Sequence, residues 1–459
     1  MNTRHFDLLV IGAGAAGSTA ATTAAAQGAR VAMFEQDQIG GTCLNYGCDP
    51  TKTLLHTANL LYQTQHAQKY GLSIPTATVQ WEKVQEHVQQ VILRIRGGTS
   101  SEVSQKMAQQ GISVVHGTAT FISPHTLTAG GQTYEAERII IASGSKTAVP
   151  LIKGLNETGF ITNIEAVSLA SLPRRLAVVG GGPIGIEFAQ MFQRFGVEVT
   201  VLERSPQLLD KEDRELADML CNILSREGLR LLTDTELRYI ERTAQGKQLT
   251  YRCKGEQHDQ TLEVDEILLA IGRHPDVAAL HLDVTGVETN KKGIAVDEML
   301  CTNIAHIWAA GDVTGGYQFT HVAYEQGKIA AHNAFATHPK RFANRVIPWV
   351  TYTNPSLSHV GKTEEQLRQD GITYKIGRMK FSEVERAIAN GQMEGLVKLL
   401  VDQHGKILGC HILGEQADTM IAVAVVAMQA DMHANELADT IIPYPTLSEA
   451  IRWAADRRD

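Results

Sequence analysis

The sequence predicts an α/β protein with two Rossmann-like units followed by a C-terminal α+β domain. A short apolar strand, a Gly-x-Gly-x-x-Gly turn and a small-residue helix open the chain, and the same plan returns near its middle. From about Ile347 the pattern changes to strands and two helices, which marks a further domain.

In the first copy Leu8-Leu9-Val10-Ile11 reads as the strand, and Gly12, Gly14 and Gly17 supply the turn. In the second, Leu176-Ala177-Val178-Val179 leads into Gly180, Gly182 and Gly185. The first glycine permits the tight turn, the second lets backbone approach a pyrophosphate, and the third lets the helix pack on the strand. Free N–H groups at the helix start then favour the bound phosphates. Each helix leads to a second strand, Ala29 to Phe34 and Glu198 to Leu202, ending at an acid placed to hold a ribose, Glu35 and Glu203. Two dinucleotide sites are therefore expected.

Between the copies, residues 52–110 read as helical, with Glu82 to Ile95 the clearest stretch, and residues 112–141 alternate as strands ending in Ile139-Ile140-Ile141. Ile267 to Arg273 closes the second unit, and Ile307 to Asp312 reads as a strand returning to the first. Met420 to Met428 reads as a buried helix, too short to span a membrane. The expected domains are 1–150, 151–274, 275–345 (the return segment) and 346–459.

The chain carries 42 basic and 50 acidic side chains, a net charge of −8, so no nucleic-acid footprint is expected. No leader peptide and no run of about 20 apolar residues is visible, which points to a cytoplasmic protein without a membrane partner. Six cysteines in 459 residues do not make a disulfide scaffold. Cys221, Cys253, Cys301 and Cys410 are scattered, and read as small buried or surface residues.

Cys43 and Cys48 stand apart. They share the loop Gly40-Gly41-Thr42-Cys43-Leu44-Asn45-Tyr46-Gly47-Cys48-Asp49-Pro50-Thr51-Lys52. At a helix start such a pair can form a short-loop disulfide, and a thiolate there gains from the helix dipole. Two other readings are a metal half-site, for which no second ligand pair has fitting spacing, and coincidence. No metal is expected.

With this loop, Gly272-Arg273-His274-Pro275 and Ala310-Gly311-Asp312, the chain resembles the pyridine nucleotide-disulfide oxidoreductases of the glutathione reductase, dihydrolipoamide dehydrogenase and mercuric reductase type over essentially its whole length. The resemblance implies an FAD domain, an NAD(P) domain and a C-terminal dimerisation domain. It places Gly12, Gly14, Gly17 and Glu35 on FAD, with Gly117, Ser143, Gly144 and Gly272 at the cofactor sites and Asp312 on the ribityl chain. Lys52 and Glu187 would pair near the reactive edge of the flavin. Cys48 would lie against the flavin, and Cys43 would be the exposed thiol that meets substrate.

Glu203 and Gly185 favour NADH over NADPH, because a carboxylate repels a 2′-phosphate. Arg204 argues the other way, and Asp210 stands where NADPH-preferring relatives carry a second arginine. The terminal motif departs from the disulfide-reducing relatives: Tyr444 takes the place of their histidine, while Glu449 remains. A phenol, with an ordinary pKa near 10, is a poorer proton shuttle at neutral pH than an imidazole. Tyr in this place is similar to mercuric reductases, yet the terminal cysteine pair and the N-terminal metal-carrying domain of that group are not seen. His321, just after Asp312, is a candidate for a place near the flavin; His411 and His433 read as packed or surface residues.

The sequence thus points to an FAD enzyme with a redox-active Cys43–Cys48 disulfide that acts on a disulfide or dithiol substrate. A metal-ion reductase of the mercuric type and a low-turnover redox-sensing flavoprotein stand as alternatives. An obligate C2 homodimer is expected, because Tyr444 and Glu449 would complete the site of the other chain.

Overall fold

The computed structural model describes residues 3–343 and 345–458. Met1 and Asp459, the ends read for a leader and for terminal thiols, lie outside the described residues. The fold is mixed α/β, with two compact units formed from interleaved segments. One comprises Met1–Thr53, Trp81–Ala148 and Gly272–Ala343; the other Leu54–Gln80, Val149–Ile271 and Asn344–Asp459.

The first unit is built on a five-stranded parallel sheet in the order Ile307–Ala309, Ile139–Ile141, Leu8–Ile11, Val31–Glu35, Ile112–His116. Its strands are apolar runs because both faces are covered. Ile139, Ile140 and Ile141 are fully buried, each contributing about 1.5–3 kcal/mol by leaving water. The return strand, Ile307–Ala309, pairs in parallel with Ile139–Ile141. The alternating stretch also supplies a second sheet, in which Gln132–Ala136, Thr126–Ala129 and Thr120–Ser123 are joined by Thr3–Phe6. The first helix, Ala15–Ala25, buries Ala16, Ala20, Ala21 and Ala24. The helix Thr320–Phe335 reaches it closely because Gly327 has no side chain; a Cβ there would stand 2.2 Å from the carbonyl oxygen of Ala16.

The second unit holds two sheets that matter for the site. One is parallel, in the order Arg230–Leu232, Glu198–Leu202, Arg175–Val179, Glu266–Leu269. The other is antiparallel, in the order Pro348–Thr351, Ser356–Gly361, Ile407–Gly414, Leu396–Val401, Lys375–Lys380. Helix Ala417–Gln429 buries Met420, Ile421, Ala424 and Ala427, one stripe at helical spacing. Two helices were expected after residue 347, and five are found. Three of these five, Glu364–Gln369, Glu385–Asn390 and Ala434–Asp439, have six residues each, too few to display a 3.6-residue period.

No helix among the described residues is long and apolar enough to cross a membrane.

Candidate functional site

Cys43 lies in the short helix Gly41–Tyr46, and Cys48 is the first residue of the 18-residue helix Cys48–Gln65. Both are free thiols, the reduced form of a dithiol couple. They share a proton unequally. A hydrogen bond from the Cys43 thiol lowers Cys48 to about 6, aided by the Thr320 hydroxyl and the Lys52 charge and opposed by burial. The same bond, with burial, pushes Cys43 well above the ordinary thiol range. Cys48 is therefore the thiolate, and Cys43 keeps the proton. Its position at a helix start favours the anion further.

Thr320 Oγ1 lies 3.4 Å from the Cys48 sulfur. The hydroxyl opens the helix Thr320–Phe335, whose seat against Ala16 was described above. Lys52 stands one turn along the helix from Cys48, and its charge reaches both Cys48 and Asp49. Cys48 is exposed and Cys43 is half-buried. Cys43 donates to its neighbour across the short loop, and Cys48 opens the long helix.

Asp312 begins a short turn after the return strand. Its Oδ2 accepts from Ser145 Oγ at 2.6 Å. Arg273 donates to that same hydroxyl oxygen at 2.8 Å and to the Ser145 carbonyl at 2.6 Å. Burial pulls the Arg273 guanidinium below its ordinary value, while Asp312 and the Cys48 charge oppose it. Ser143 Oγ donates to the carbonyl of Asp276 at 2.7 Å, and Gly144 has φ +74 with open space on its Cβ side. Gly272 accepts from Ala148 N at 2.9 Å, and Gly117 donates to the Glu35 carbonyl at 2.8 Å.

The two glycine turns match each other. A Cβ on Gly12 would meet Ala142 O at 2.3 Å, and one on Gly17 would meet Gly12 O at 1.8 Å. A Cβ on Gly180 would meet Ala270 O at 2.5 Å, and one on Gly185 would meet Gly180 O at 2.0 Å. The middle glycines differ: Gly14 has only Gly41 Cα at 3.8 Å, and Gly182 has nothing within 4 Å. This is the cradle that a pyrophosphate needs, tight behind and open in front. The acids repeat as well. Glu35 accepts from Ala13 N at 2.9 Å and Asp37 N at 2.8 Å. Glu203 accepts from Gly181 N at 2.6 Å and Ser205 N at 2.7 Å. Each carboxylate is thus fixed by its own turn, with lone pairs left for ribose hydroxyls. The residues fit two dinucleotides.

Arg204 is exposed and makes no ion pair among the described residues; Asp210 is also exposed. Glu187, in the second unit, is buried and accepts from Tyr352 N at 2.8 Å. Tyr444 is 71% exposed, and its hydroxyl has no hydrogen-bond partner among the described residues. Glu449 is buried and accepts from Thr446 N at 3.0 Å, so it orders its own loop. His321 is exposed and stacks on Phe319, with ring centroids 5.5 Å apart.

The profile of the pyridine nucleotide-disulphide oxidoreductases matches residues 6–327, and that of their dimerisation domain matches residues 347–455. The chain belongs to the pyridine nucleotide-disulphide oxidoreductases. It is 36% identical over 454 residues to a dihydrolipoyl dehydrogenase of Bacillus subtilis, covering 97% of each chain. It is 35% identical over 452 residues to a mercuric reductase of Staphylococcus aureus, covering 98% of this chain and 82% of that one. Among solved structures it is similar to the HOCl-induced flavoprotein disulfide reductase RclA of Escherichia coli. The TM-score there is 0.86 at 32% identity, covering 97% of this chain and 98% of that one.

As a member of the pyridine nucleotide-disulphide oxidoreductases, the chain is an FAD-dependent oxidoreductase with Cys43 and Cys48 as its redox-active pair. The dimerisation domain supports a homodimer. The expectations drawn from the sequence did not include Ser145, Thr320, Tyr324 or Arg273 among the site residues. Arg273 lay within a quoted motif, but the charge network that uses it joins residues 128 apart. Thr320 and Tyr324 sit at one helix start, and the Tyr324 hydroxyl is raised by burial and then by the Cys43, Asp49 and Cys48 charges. Nothing in their local sequence points to sulfur.

Proposed function

We propose that this enzyme takes electrons from NADH and passes them through the Cys43–Cys48 dithiol to a disulfide substrate. The observation that carries the reading is two cysteines of one short loop joined by a hydrogen bond, with the Thr320 hydroxyl 3.4 Å from the Cys48 sulfur.

FAD, when bound, supplies the two-electron relay between nicotinamide and sulfur. In this reading Gly12, Gly14 and Gly17 hold its pyrophosphate, Glu35 its adenosine ribose and Asp312 its ribityl chain, with Gly117, Ser143 and Gly144 lining the same site. Lys52, one helical turn from Cys48, stands near its reactive edge. Gly180, Gly182, Gly185 and Glu203 take the nicotinamide nucleotide. Glu203 disfavours a 2′-phosphate by charge, and the nearby Asp210 adds to that, which outweighs the single exposed Arg204.

The dithiol chemistry follows from the proton. Cys43 sulfur attacks one sulfur of the substrate disulfide and gives up its proton to the Cys48 thiolate, which already accepts it. The substrate S–S bond breaks and one thiolate leaves, taking a proton from solvent. Cys48 then attacks Cys43 sulfur and closes the Cys43–Cys48 bond, while its proton passes to the second substrate sulfur, which leaves as a thiol. The substrate gains two electrons and two protons, and the dithiol becomes a disulfide.

A second reading is reduction of a thiophilic metal ion. Tyr444 favours it, since a metal leaves no thiolate that an imidazole must protonate. So do the name of one relative, a mercuric reductase, and the solved Cu(II) complex of RclA. Parallel assays with lipoamide, glutathione disulfide, Hg(II) and Cu(II) at fixed NADH separate the readings. Disulfide turnover that rises in Tyr444→His supports the first; turnover of metal alone supports the second. Turnover that survives Cys43→Ser removes both.

A further inference from the structure

A polar row crosses the C-terminal antiparallel sheet. Trp349 is paired with His359, His359 with His411, and His411 with Lys398, each in direct register. His359 and Lys398 are fully buried, and His411 is 1% exposed. Buried imidazole and ammonium groups cost free energy unless they are partnered, so such a row needs a reason.

What the row holds is a pair of consecutive buried acids, Glu212 and Asp213. Trp349 Nε1 donates to Glu212 Oε1 at 2.6 Å, and His359 Nδ1 lies 3.1 Å from Glu212 Oε2. The Trp349 and His359 rings are stacked with centroids 3.7 Å apart. Lys398 Nζ meets both oxygens of Asp213, at 2.9 and 3.0 Å. An apolar contact would join sheet and helix as firmly, so a buried ionic contact is better explained by the position it enforces.

That position is the far end of the loop that starts at Glu203. Glu203 accepts from Gly181 N, and Leu209 N donates to Gly181 O at 2.9 Å. Glu212 N then donates to Leu209 O at 2.9 Å. The loop thus lies over the second glycine turn, fixed to it at Gly181 and to the sheet at Glu212. Leu209, at φ +52, is held in a conformation that leucine rarely adopts. Such a residue persists only where its surroundings over-determine it.

We infer that Trp349 and His359 are positioning residues for the nicotinamide nucleotide, acting through Glu212 on the loop that carries Glu203. The inference rests on the reading that Glu203 and the Gly180 turn hold that nucleotide. Lys398 fixes the adjacent Asp213 in the same manner.

The test uses the full-length, FAD-loaded enzyme with Trp349→Phe and His359→Gln. The expected result is a rise in KM for NADH of roughly tenfold, the scale of one lost hydrogen bond to a charged group. kcat and the KM for the acceptor stay as they were. Competitive inhibition by AMP, which probes the adenosine end alone, weakens by the same factor. A fall in Tm with an unchanged KM for NADH would mean that the row only packs, and would overturn the inference. Should Trp349→Phe fail to accumulate, His359→Gln decides alone. Glu203→Ala separates the two levels. If it leaves the KM for NADH unchanged, the nucleotide reading is wrong. If it raises that KM while both sheet variants do not, only the positioning role falls.

Discussion

At Cys48 the neighbouring thiol decides the charge: the hydrogen bond from Cys43 is the largest cause that lowers Cys48, and the same bond together with burial raises Cys43. Because Cys48 is lowered to about 6, its thiolate fraction, and with it alkylation of the reduced protein, switches on as the pH rises through about 6 rather than through the ordinary thiol range. The hydrogen bond from Cys43 is the largest cause and that from Thr320 a smaller one. Cys43→Ser should therefore leave a hydroxyl donor and a modest upward shift of this midpoint, and Cys43→Ala a larger shift than Thr320→Val. Iodoacetamide rates followed by mass spectrometry against pH check the order. A larger shift for Thr320→Val would show that the threonine, not the partner thiol, holds the charge. The pair itself was legible in the sequence through its shared loop. Thr320, 272 positions away in sequence from Cys48, was not, because only the seating of one helix against Ala16 brings it there.

Among elements, the two strand–turn–helix units were legible almost to the residue. Glycine spacing is a steric requirement, and each outer glycine has backbone carbonyl where a side chain would go. Gly17→Ala places a methyl group 1.8 Å from Gly12 O, so the purified variant is expected to lack flavin absorbance while the nicotinamide site still binds AMP. Gly185→Ala is the mirror case: flavin retained, NADH turnover lost. Visible spectra and AMP binding together read both variants. Retained flavin in Gly17→Ala would show that the first turn tolerates displacement. The short C-terminal helices were not legible, since a six-residue helix is fixed by its caps and by what it packs on.

The polar row belongs to the same scale. Lys398 is drawn down by burial but raised overall by Glu364, Asp213 and Glu215. The carboxyls of Glu215 and Glu364 are raised by burial, yet lowered on balance by Lys398 and other donors. Their folded pKa values lie below the ordinary 4.5, so this stabilisation is complete above that pH and is lost as the pH falls through the depressed values. Lys398→Met strands the buried Asp213 and should cost about 3–5 kcal/mol at neutral pH. It should also flatten the acid limb of a Tm–pH curve. Calorimetry from pH 3 to about 7 tests this; an acid limb of unchanged steepness would place the titrating groups elsewhere.

For the whole molecule, the family and its fold follow from motifs spread along the chain, but the acceptor does not, because nothing in the sequence near Cys43 describes a substrate pocket. The proposed completion of each site by Tyr444 and Glu449 of the other chain has a direct test. Chains carrying Cys48→Ser and chains carrying Glu449→Ala, each inactive alone, are mixed and allowed to reassociate. Random pairing in a C2 dimer returns intact residues to roughly a quarter of the sites, and activity to that fraction. No recovery in demonstrated heterodimers would mean that each chain completes its own site.

The Glu212 anchorage carries one more implication. On the proposed reading, the loop that holds the nucleotide is fixed to the sheet of the dimerisation domain, so subunit pairing and nucleotide affinity are expected to be coupled. Linkage is reciprocal, so whatever factor pairing adds to the hold on NADH, saturating NADH must add to the hold of one subunit on the other. Sedimentation at limiting protein concentration, with and without the nucleotide, would measure that factor without any turnover taking place.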